Sequence, residues 1–317
     1  LFHVYGLVAL LTQTVNTGAE LILVPNARDI DDLIDIIHAH QPHVFLGVPA
    51  LYNAINEHPR IKSGEVWLKC FLLSTSGSAP LPKQAKEDYD AQSGSAIVEA
   101  YGLSETFVAV TATPVHGEQP IRSTGIPYPD IDLKIVSLDE PDETVPLGEV
   151  GEIVIASPSL MVGYHGMPTE TANALRKDAD GRVWFYTGDI GRMDERGYLF
   201  IVDRKKDMAL IGGYNVYPTT VEDVLKQHPA VFEVGVAGIP HPNKVGQEAL
   251  KAWIVPKQDA SVTEEDLIAH CETLLAPYEI PRRFSFVSEI PKTAVGKTLR
   301  RELVRLEMQE ATEREPA

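Results

Sequence analysis

Residues 20–100 alternate between short apolar runs and segments with helical spacing. Asp29 is a favourable helix N-cap, and the apolar residues that follow recur at the spacing of one helix face: Ile30, Leu33, Ile34 and Ile37. Short apolar runs predict strands at 20–24, 43–48, 70–74 and 97–99, and helices are expected after Pro49 and Pro80. This alternation predicts a mostly parallel sheet covered by helices.

The pattern changes between residues 127 and 202. Ile131, Leu133 and Ile135 alternate with polar residues, which is the period of a half-buried strand. Turn residues recur at Pro141, Gly148, Gly163 and Gly197. We therefore expect a small antiparallel β unit here.

A third region begins at the charged run DRKKD, residues 203–207. Thr219 and Glu222 have the spacing of a capping box ahead of a helix. Strands are predicted at 231–237 and 249–255, and a second capped helix begins near Thr263 and ends before Pro277. A final amphipathic helix carries Leu299, Leu303 and Leu306.

The predicted fold class is α/β, with a partial large domain followed by a smaller α+β domain. Residues 1–203 form the large-domain part, with the parallel sheet and its helices in 1–126 and the antiparallel β subdomain in 127–203. Residues 204–317 form a mobile C-terminal domain. The chain opens with Leu-Phe-His and no Met, cap or turn residue, so we expect an interior segment rather than a natural start.

Charge and composition limit the classes of partner that we expect for this chain. The 317 residues contain 28 Lys and Arg against 45 Asp and Glu, a net charge of −17. Such a field repels nucleic acid and anionic membranes, so no nucleic-acid partner is expected, and an anionic ligand needs a local cluster of positive groups. The apolar runs are too short to span a bilayer, which leaves only peripheral membrane contact open.

Cys70 and Cys271 are far apart, which excludes a disulfide scaffold and a cysteine zinc site and fits a cytoplasmic protein. His38, His40 and His43 lie across a predicted helix end and strand start, so we expect no metal site there.

Two segments follow predicted strands and have candidate chemistry. The run STSGSAPL, residues 74–81, has small side chains that let the backbone approach a flat or anionic ligand. The alternative is a tight strand-to-helix turn. In AYGLSET, residues 100–106, Tyr101 can stack on a base and Glu105 can hold Mg²⁺ near phosphates. The alternative is a core tyrosine and a solvated glutamate.

Three later segments are also candidates. In YTGD, Asp189 follows a glycine and can accept from two ribose hydroxyls, although Gly-Asp is also common in hairpin turns. The DRKKD run with the following Gly212-Gly213 suits a hinge beside an anion site, or a solvated charged face. PKTAVGKT lacks the first glycine of a phosphate-binding P-loop, but Lys297 can still reach a phosphate or carboxylate.

The order of these motifs is more informative about the protein family than any single motif. SGSAP, YGLSE, GEIVI with MVGY, YTGD, DRKKD with GGYNVYP, and PKTAVGK occur in the order and approximate spacing of the acyl-adenylate-forming superfamily of AMP-binding enzymes. VDRKKDMALIGGYNVYPTTVEDVL, together with LFHVYG and KTLRREL, resembles bacterial long-chain fatty acid–CoA ligases most. Two departures stand out. The family has Thr where Ser104 stands, and its Ser/Thr/Gly-rich phosphate loop lies upstream of this segment.

The resemblance implies a role for each matching residue. Adenine and acyl contacts are implied for Ser78, Ala79, Pro80 and Tyr101, with Gly102 and Ser104 beside them. Glu105 would hold Mg²⁺, and Asp189 and Arg204 would bind the ribose. Lys206 would be the hinge, Gly213 would line the pantetheine tunnel, Lys297 would act in adenylation, and His3 would lie near the acyl pocket.

The implied activity is an ATP-dependent acid–thiol ligase. It joins a long-chain fatty acid to coenzyme A through an acyl-adenylate and releases AMP and pyrophosphate, with Mg²⁺ as cofactor. Without the phosphate loop, residues 1–317 are expected to turn over little alone. An aryl- or medium-chain acid–CoA ligase and a non-catalytic nucleotide-binding module stay open. A peptide-synthetase adenylation domain is disfavoured, because no carrier-like segment follows Lys297.

Overall fold

The computed structural model describes residues 3–241, 244, 246–293 and 298–314. The chain divides into two compact units. The first unit contains residues 1–187 and 191–201, and the second unit contains residues 188–190 and 202–317. The domain limits given from the sequence stay predictions.

The first unit begins with a π-helical segment, Tyr5–Thr12, that continues into the short helix α1 (Gln13–Thr17). The following elements are α2 (Ile30–His40), β1 (Val44–Gly47), α3 (Pro49–Glu57), α4 (Pro59–Lys62), β2 (Leu73–Ser76), α5 (Lys83–Ser93), β3 (Ile97–Leu103), a 3₁₀ turn (Ser104–Thr106), β4 (Val108–Ala112) and β5 (Ile126–Pro127).

These strands form one sheet in the order β1-β2-β3-β4-β5. The pairs β1–β2 and β2–β3 are parallel, whereas β3–β4 and β4–β5 are antiparallel. Parallel neighbours need a crossover, and α3 to α5 provide the helices between them. The predicted strand–helix alternation is therefore confirmed for this part of the chain.

Local signals account for α2. The Asp29 side chain accepts the backbone N–H of Asp32 at 3.2 Å, as expected for an N-cap. Ile34 and Ile37 lie on one helix face and are fully buried with Tyr52 and Tyr89. The strand predicted at 20–24 is wrong, because this run does not pair with the sheet and Leu23 is 60% exposed.

The antiparallel β subdomain follows, with β6 (Asp132–Val136), β7 (Gly151–Ala156), helix α6 (Pro168–Ala174), β8 (Leu175–Lys177), β9 (Val183–Met193) and β10 (Leu199–Arg204). The sheet order is β10-β9-β7-β6, and β8 pairs with β9. Strands β6 and β7 are antiparallel, as are β8 and β9, in agreement with the alternating pattern. Its apolar core contains Ile135, Ile153 and Leu199.

The second unit contains β11 (Ala209–Ile211), β12 (Tyr214–Val216), α7 (Pro218–Leu225), β13 (Val231–Pro240), β14 (Glu248–Pro256), α8 (Glu264–Glu272), β15 (Arg283–Phe286) and α9 (Arg300–Arg314). Strands β13 and β14 are antiparallel, and β14 and β15 are parallel. The mixed α/β architecture with a separate α+β part confirms the predicted fold class.

One capping prediction in this unit is confirmed and one is wrong. Thr263 and Asp266 form a capping box at the start of α8. Helix α7 instead begins with Pro218 at its first position after Tyr217. Thr219 and Glu222 therefore lie inside that helix, and both side chains bind Arg300.

Candidate functional site

The SGSAP segment forms the loop between β2 and α5. Ser78 has a φ of +71°, a left-handed conformation that is uncommon outside glycine. A Cβ on Gly77 would lie 3.6 Å from the Ala100 carbonyl oxygen, so the loop runs beside β3. The structure thus brings the loop with Ser78, Ala79 and Pro80 next to the strand that carries Tyr101.

The AYG segment ends β3 with an irregularity that requires glycine. The register with β4 shifts between Tyr101 and Gly102. A Cβ on Gly102 would lie 1.6 Å from the Val108 carbonyl oxygen, so no larger residue fits this approach. Tyr101 is half-buried against the core of the β subdomain. Its stacking on a base stays a prediction.

Ser104 and Glu105 lie in the 3₁₀ turn after β3, and backbone contacts anchor that turn. The Met161 N–H donates to the Glu105 carbonyl oxygen at 2.8 Å, and Ser159 Oγ donates to the Thr106 carbonyl at 2.9 Å. The Tyr164 hydroxyl donates to Glu105 Oε1 at 2.9 Å. The MVGY and YGLSE motifs therefore meet in space.

Tyr164 is a candidate functional residue that sequence reasoning missed. Burial and the hydrogen bond to Glu105 raise the pKa of Tyr164 to about 12. The hydroxyl thus stays protonated as a donor near neutral pH. The sequence feature that could have indicated Tyr164 is its position in the MVGY motif.

His3 is linked to the same part of the first unit through Tyr5. His3 Nδ1 accepts the Tyr5 backbone N–H at 3.2 Å. The Tyr5 hydroxyl donates to the Thr75 carbonyl oxygen at 3.0 Å, and Tyr52 donates to the same oxygen at 2.7 Å. Burial raises the pKa of Tyr5 above its ordinary value, so this anchor stays neutral. Sequence reasoning missed Tyr5 and Thr75, since their contact spans distant segments.

Asp189 and Arg204, both in the second unit, form an ion pair. Arg204 Nε lies 3.2 Å from Asp189 Oδ1. Asp189 is 5% exposed, whereas the Arg204 side chain is 44% exposed. The structure brings these two predicted ribose ligands together, with the carboxylate orientation fixed by the guanidinium.

The predicted hinge, Lys206, lies exposed in the turn after β10. The Asp207 and Met208 N–H groups both donate to the Arg204 carbonyl oxygen, at 2.9 and 3.1 Å. Asp203 is buried and accepts the Arg204 N–H at 2.7 Å and the Thr219 N–H at 2.8 Å. Lys206 is thus exposed, whereas Asp203, three residues before it, is held by two backbone N–H groups.

Gly213 lies in the two-residue turn that joins β11 to β12. Gly212 and Gly213 have φ angles of +60° and +90°. Positive φ at both central residues is the requirement of a type I′ hairpin turn, which explains the double glycine. A role of Gly213 in a thiol tunnel stays a prediction.

Lys297 lies outside the described residues. On its two sides, Lys292 and Thr298 form an antiparallel bridge, and the Leu299 N–H donates to the Pro291 carbonyl at 2.8 Å. Lys292 also pairs with Glu233 of β13 at 2.5 Å. The flanks are therefore bonded to each other and to the sheet of the second unit.

Arg300 forms a charge network that the sequence did not indicate. Its guanidinium lies 2.9 Å from Glu222, 3.5 Å from Asp207 and 3.8 Å from Asp203. Burial alone would lower the pKa of Arg300, but the surrounding carboxylates outweigh it and raise that pKa. This network joins the start of α9 to the turn that contains Lys206.

Among the described residues, no group of three or more His, Cys, Asp and Glu side chains is arranged to hold a metal ion. Mg²⁺ commonly takes only one or two protein carboxylates together with substrate phosphates. Glu105 on its anchored turn fits that smaller donor set. In the part of the chain that the structure describes, no helix is long and apolar enough to cross a membrane.

Two family models match the chain. The model described as "AMP-binding enzyme" matches residues 1–165, and that described as "AMP-binding enzyme C-terminal domain" matches residues 220–297.

Curated relatives match along almost the whole chain. A long-chain-fatty-acid–CoA ligase of Bacillus subtilis (strain 168) is 41% identical over 303 residues, covering 96% of this chain and 52% of the relative. The corresponding ligase of Yersinia pestis is 37% identical with the same coverage. A feruloyl-CoA synthase of Amycolatopsis sp is 35% identical over 96% of this chain and 60% of its own length. The chain spans about half the length of the long-chain ligases that it matches.

Solved structures of similar enzymes agree in fold. ATP-bound MatB from Rhodopseudomonas palustris superposes with a TM-score of 0.85 at 30% identity, covering 96% of this chain and 58% of that one. The anthranilate CoA ligase AuaEII in complex with anthranoyl-AMP superposes with a TM-score of 0.82 at 29% identity, covering 98% and 59%.

Proposed function

Because this chain belongs to the AMP-binding enzyme family, we propose that it forms the C-terminal part of an ATP-dependent acid–CoA ligase, here called the parent polypeptide. The proposed substrate is a long-chain fatty acid. The observation that carries this proposal is the 41% identity over 303 residues, 96% of this chain, to a long-chain-fatty-acid–CoA ligase. ATP and coenzyme A are the proposed co-substrates.

The first proposed half-reaction forms an acyl-adenylate. A carboxylate oxygen of the acid attacks the α-phosphorus of ATP, and pyrophosphate leaves. Both reactants are anionic, so cationic groups must offset their repulsion. Lys297 would supply one such group, and Asp189 with Arg204 would hold the ribose. Mg²⁺ held by Glu105 and the phosphates would neutralise charge on the phosphate oxygens.

The second half-reaction transfers the acyl group. The thiol sulfur of coenzyme A attacks the acyl carbonyl carbon, the thiol proton is lost to solvent, and AMP leaves with the bridging oxygen. In this proposal the chain turns at Lys206 between the half-reactions, so Lys297 acts only in the first.

Aryl acids are the second candidate substrate class. A feruloyl-CoA synthase is 35% identical over 96% of this chain, and the AuaEII structure contains anthranoyl-AMP. The volume of the acyl pocket decides between these classes. One methylene changes the discrimination between two substrates by only about 1–3 kcal/mol, so the test needs acids of very different size.

The test is AMP release by the parent polypeptide with hexanoate, dodecanoate, palmitate, benzoate and ferulate. The proposal expects the highest kcat/KM with the longer fatty acids. A preference for benzoate or ferulate would overturn the fatty-acid assignment and favour the aryl alternative. The Lys297→Ala variant is the internal control, and it should lose adenylate formation while it still forms thioester from supplied acyl-adenylate.

A further inference from the structure

Tyr5 connects two segments that are far apart in the sequence. It is the first residue of the π-helical segment Tyr5–Thr12, and its backbone N–H donates to His3, for which a place near the acyl pocket is predicted. Its hydroxyl bonds Thr75, 70 residues further along the chain and directly before the SGSAP loop. Short π-helical segments are rare and frequently lie at functional sites.

The Tyr5 hydroxyl forms two hydrogen bonds with Thr75. It donates to the Thr75 carbonyl oxygen at 3.0 Å, and it also lies within hydrogen-bond distance of Thr75 Oγ1. A phenol has a single proton, and the carbonyl bond uses it, so the Thr75 hydroxyl is the donor in the second bond. Removal of the Tyr5 hydroxyl therefore breaks both bonds, whereas removal of the Thr75 hydroxyl breaks one.

The ring of Tyr5 contacts the SGSAP loop itself. A Cβ on Gly77 would lie 3.7 Å from Tyr5 Cζ and 3.6 Å from the Ala100 carbonyl oxygen, so Gly77 lies next to both the ring and strand β3. Ser78 follows with a φ of +71°. Such strain outside glycine persists only where surrounding contacts hold it. Tyr5 makes its contacts with the residues directly before this strained position.

Two other tyrosines bond the same strand from the apolar core. Tyr52 donates to the Thr75 carbonyl oxygen at 2.7 Å, and the Tyr89 hydroxyl bonds Ser74 Oγ at 2.9 Å. Both tyrosines are fully buried in the core cluster. Tyr5 comes instead from a segment in which every side chain is at least partly exposed. Tyr52 and Tyr89 thus fix β2 to the core, and Tyr5 fixes the end of β2 and the loop to the segment that follows His3.

We propose that Tyr5 is a positioning residue whose hydroxyl holds the start of the SGSAP loop in the conformation that binds the nucleotide. The inference rests on the proposed function, in which the chain binds ATP, and on the adenine contacts implied for Ser78, Ala79 and Pro80. The affinity for ATP then depends on a residue of the segment that contains His3. A direct contact of the Tyr5 hydroxyl with the acid would change KM for the acid instead.

The first test compares acyl-adenylate formation by the parent polypeptide and its Tyr5→Phe variant, with KM measured separately for ATP and for palmitate. We expect KM for ATP to rise by about 2–10-fold, the factor that corresponds to a net hydrogen bond, while KM for palmitate keeps its wild-type value. An unchanged KM for ATP would overturn the proposal. A rise in KM for palmitate alone would overturn it as well, because it would indicate direct contact with the acid.

Tyr89→Phe is the matched control. It removes a tyrosine hydroxyl that bonds the neighbouring residue of β2, but it leaves the contacts of Tyr5 with Thr75 and Gly77 in place. This variant should be less stable than the wild type and keep its KM for ATP. A rise in KM equal to that of Tyr5→Phe would overturn the inference, because a general loosening of β2 would then account for both.

A double-mutant cycle tests whether Tyr5 acts through Thr75. Thr75→Val removes one of the two bonds that Tyr5→Phe removes, so KM for ATP in the double variant should equal that of Tyr5→Phe alone. Independent effects, in which the two rises in KM multiply, would contradict the proposed connection.

Hydrogen exchange separates a failure of this inference from a failure of the proposed function. If the wild type forms no acyl-adenylate, the proposed function fails, and exchange still tests the role of Tyr5 because it needs no turnover. In Tyr5→Phe the peptide that contains residues 77–79 should exchange about 2–10-fold faster, while helix α8 keeps its rate. In Tyr89→Phe the same peptide should keep the wild-type rate. Equal exchange of residues 77–79 in the wild type and Tyr5→Phe would overturn the inference.

Discussion

The Tyr164 hydroxyl donates a hydrogen bond of 2.9 Å to Glu105 Oε1, across 59 residues of sequence. This bond fixes the carboxylate to which the proposed function assigns Mg²⁺. Residues that orient a metal ligand typically change metal affinity by about 10–100-fold when they are removed.

Tyr164→Phe in the parent polypeptide is therefore expected to raise the Mg²⁺ concentration for half-maximal adenylate formation by about tenfold or more. The ring stays, so packing changes little. Tyr198→Phe is the control, because it removes a hydroxyl bonded to the Glu118 carbonyl at 2.8 Å, away from Glu105. Equal Mg²⁺ dependence in wild type and Tyr164→Phe would contradict the assignment.

Asp189→Asn tests the ribose role. A carboxylate can accept from both ribose hydroxyls, whereas an amide has one acceptor oxygen. We expect kcat/KM for ATP to fall about 10–100-fold, since hydrogen bonds to charged groups contribute about 1.5–3 kcal/mol. The preference for ATP over 2′-deoxy-ATP should shrink in the variant. Undiminished discrimination would show that Asp189 does not bind the ribose.

The Arg300 network predicts a large stability effect. The Arg300 side chain is 13% exposed, and its removal leaves Asp203, Glu222 and Asp207 without their shared cation. Breaking a buried charge network by removing one partner costs about 3–5 kcal/mol. Arg300→Met should lower the urea midpoint of the second unit accordingly. Arg305→Met, at an exposed pair with Glu302, should have little effect. Similar midpoints for the two variants would contradict the buried network.

Glu99 lies in β3 and is 6% exposed, and burial raises the pKa of its carboxyl, so it should make stability depend on pH. Folding raises the pKa of Glu99 from an ordinary 4.5 to about 7, so the folded state binds more protons than the unfolded state in this interval. The stability contributed by this group is thus complete below pH 4.5 and is lost as the pH rises through about 7, by roughly 3 kcal/mol. Glu99→Gln should therefore gain thermal stability over the wild type at pH 8 but not at pH 4.5. Parallel curves would contradict this linkage.

Local chemistry in the sequence predicts the local features well. Asp29 and Thr263 cap their helices because an N-cap depends only on residues within one turn. The close approach at Gly102 and the hairpin turn at Gly212-Gly213 were not predicted from the sequence, although backbone geometry at these positions explains the glycines. The alternation of short apolar runs with helically spaced segments predicts the fold class, because the hydrophobic period of each element is a local property.

Contacts between distant segments were harder to predict. The run at 20–24 has strand composition, but a strand also needs a partner, and pairing is set by the tertiary fold. Thr219 and Glu222 have the spacing of a capping box, yet the helix begins at Pro218. Both side chains instead accept hydrogen bonds from Arg300. The Tyr164–Glu105 bond and the burial of Glu99 depend on neighbours that only the folded chain brings together.

The central claim is that the acid is activated as an acyl-adenylate, and isotope transfer tests it most directly. The parent polypeptide would be given palmitate labelled with ¹⁸O in its carboxylate, together with ATP and coenzyme A, and the AMP would be analysed by mass spectrometry. Attack of the carboxylate on the α-phosphorus predicts one carboxylate-derived oxygen in the phosphate of AMP. Unlabelled AMP, or labelled orthophosphate released with ADP, would contradict it.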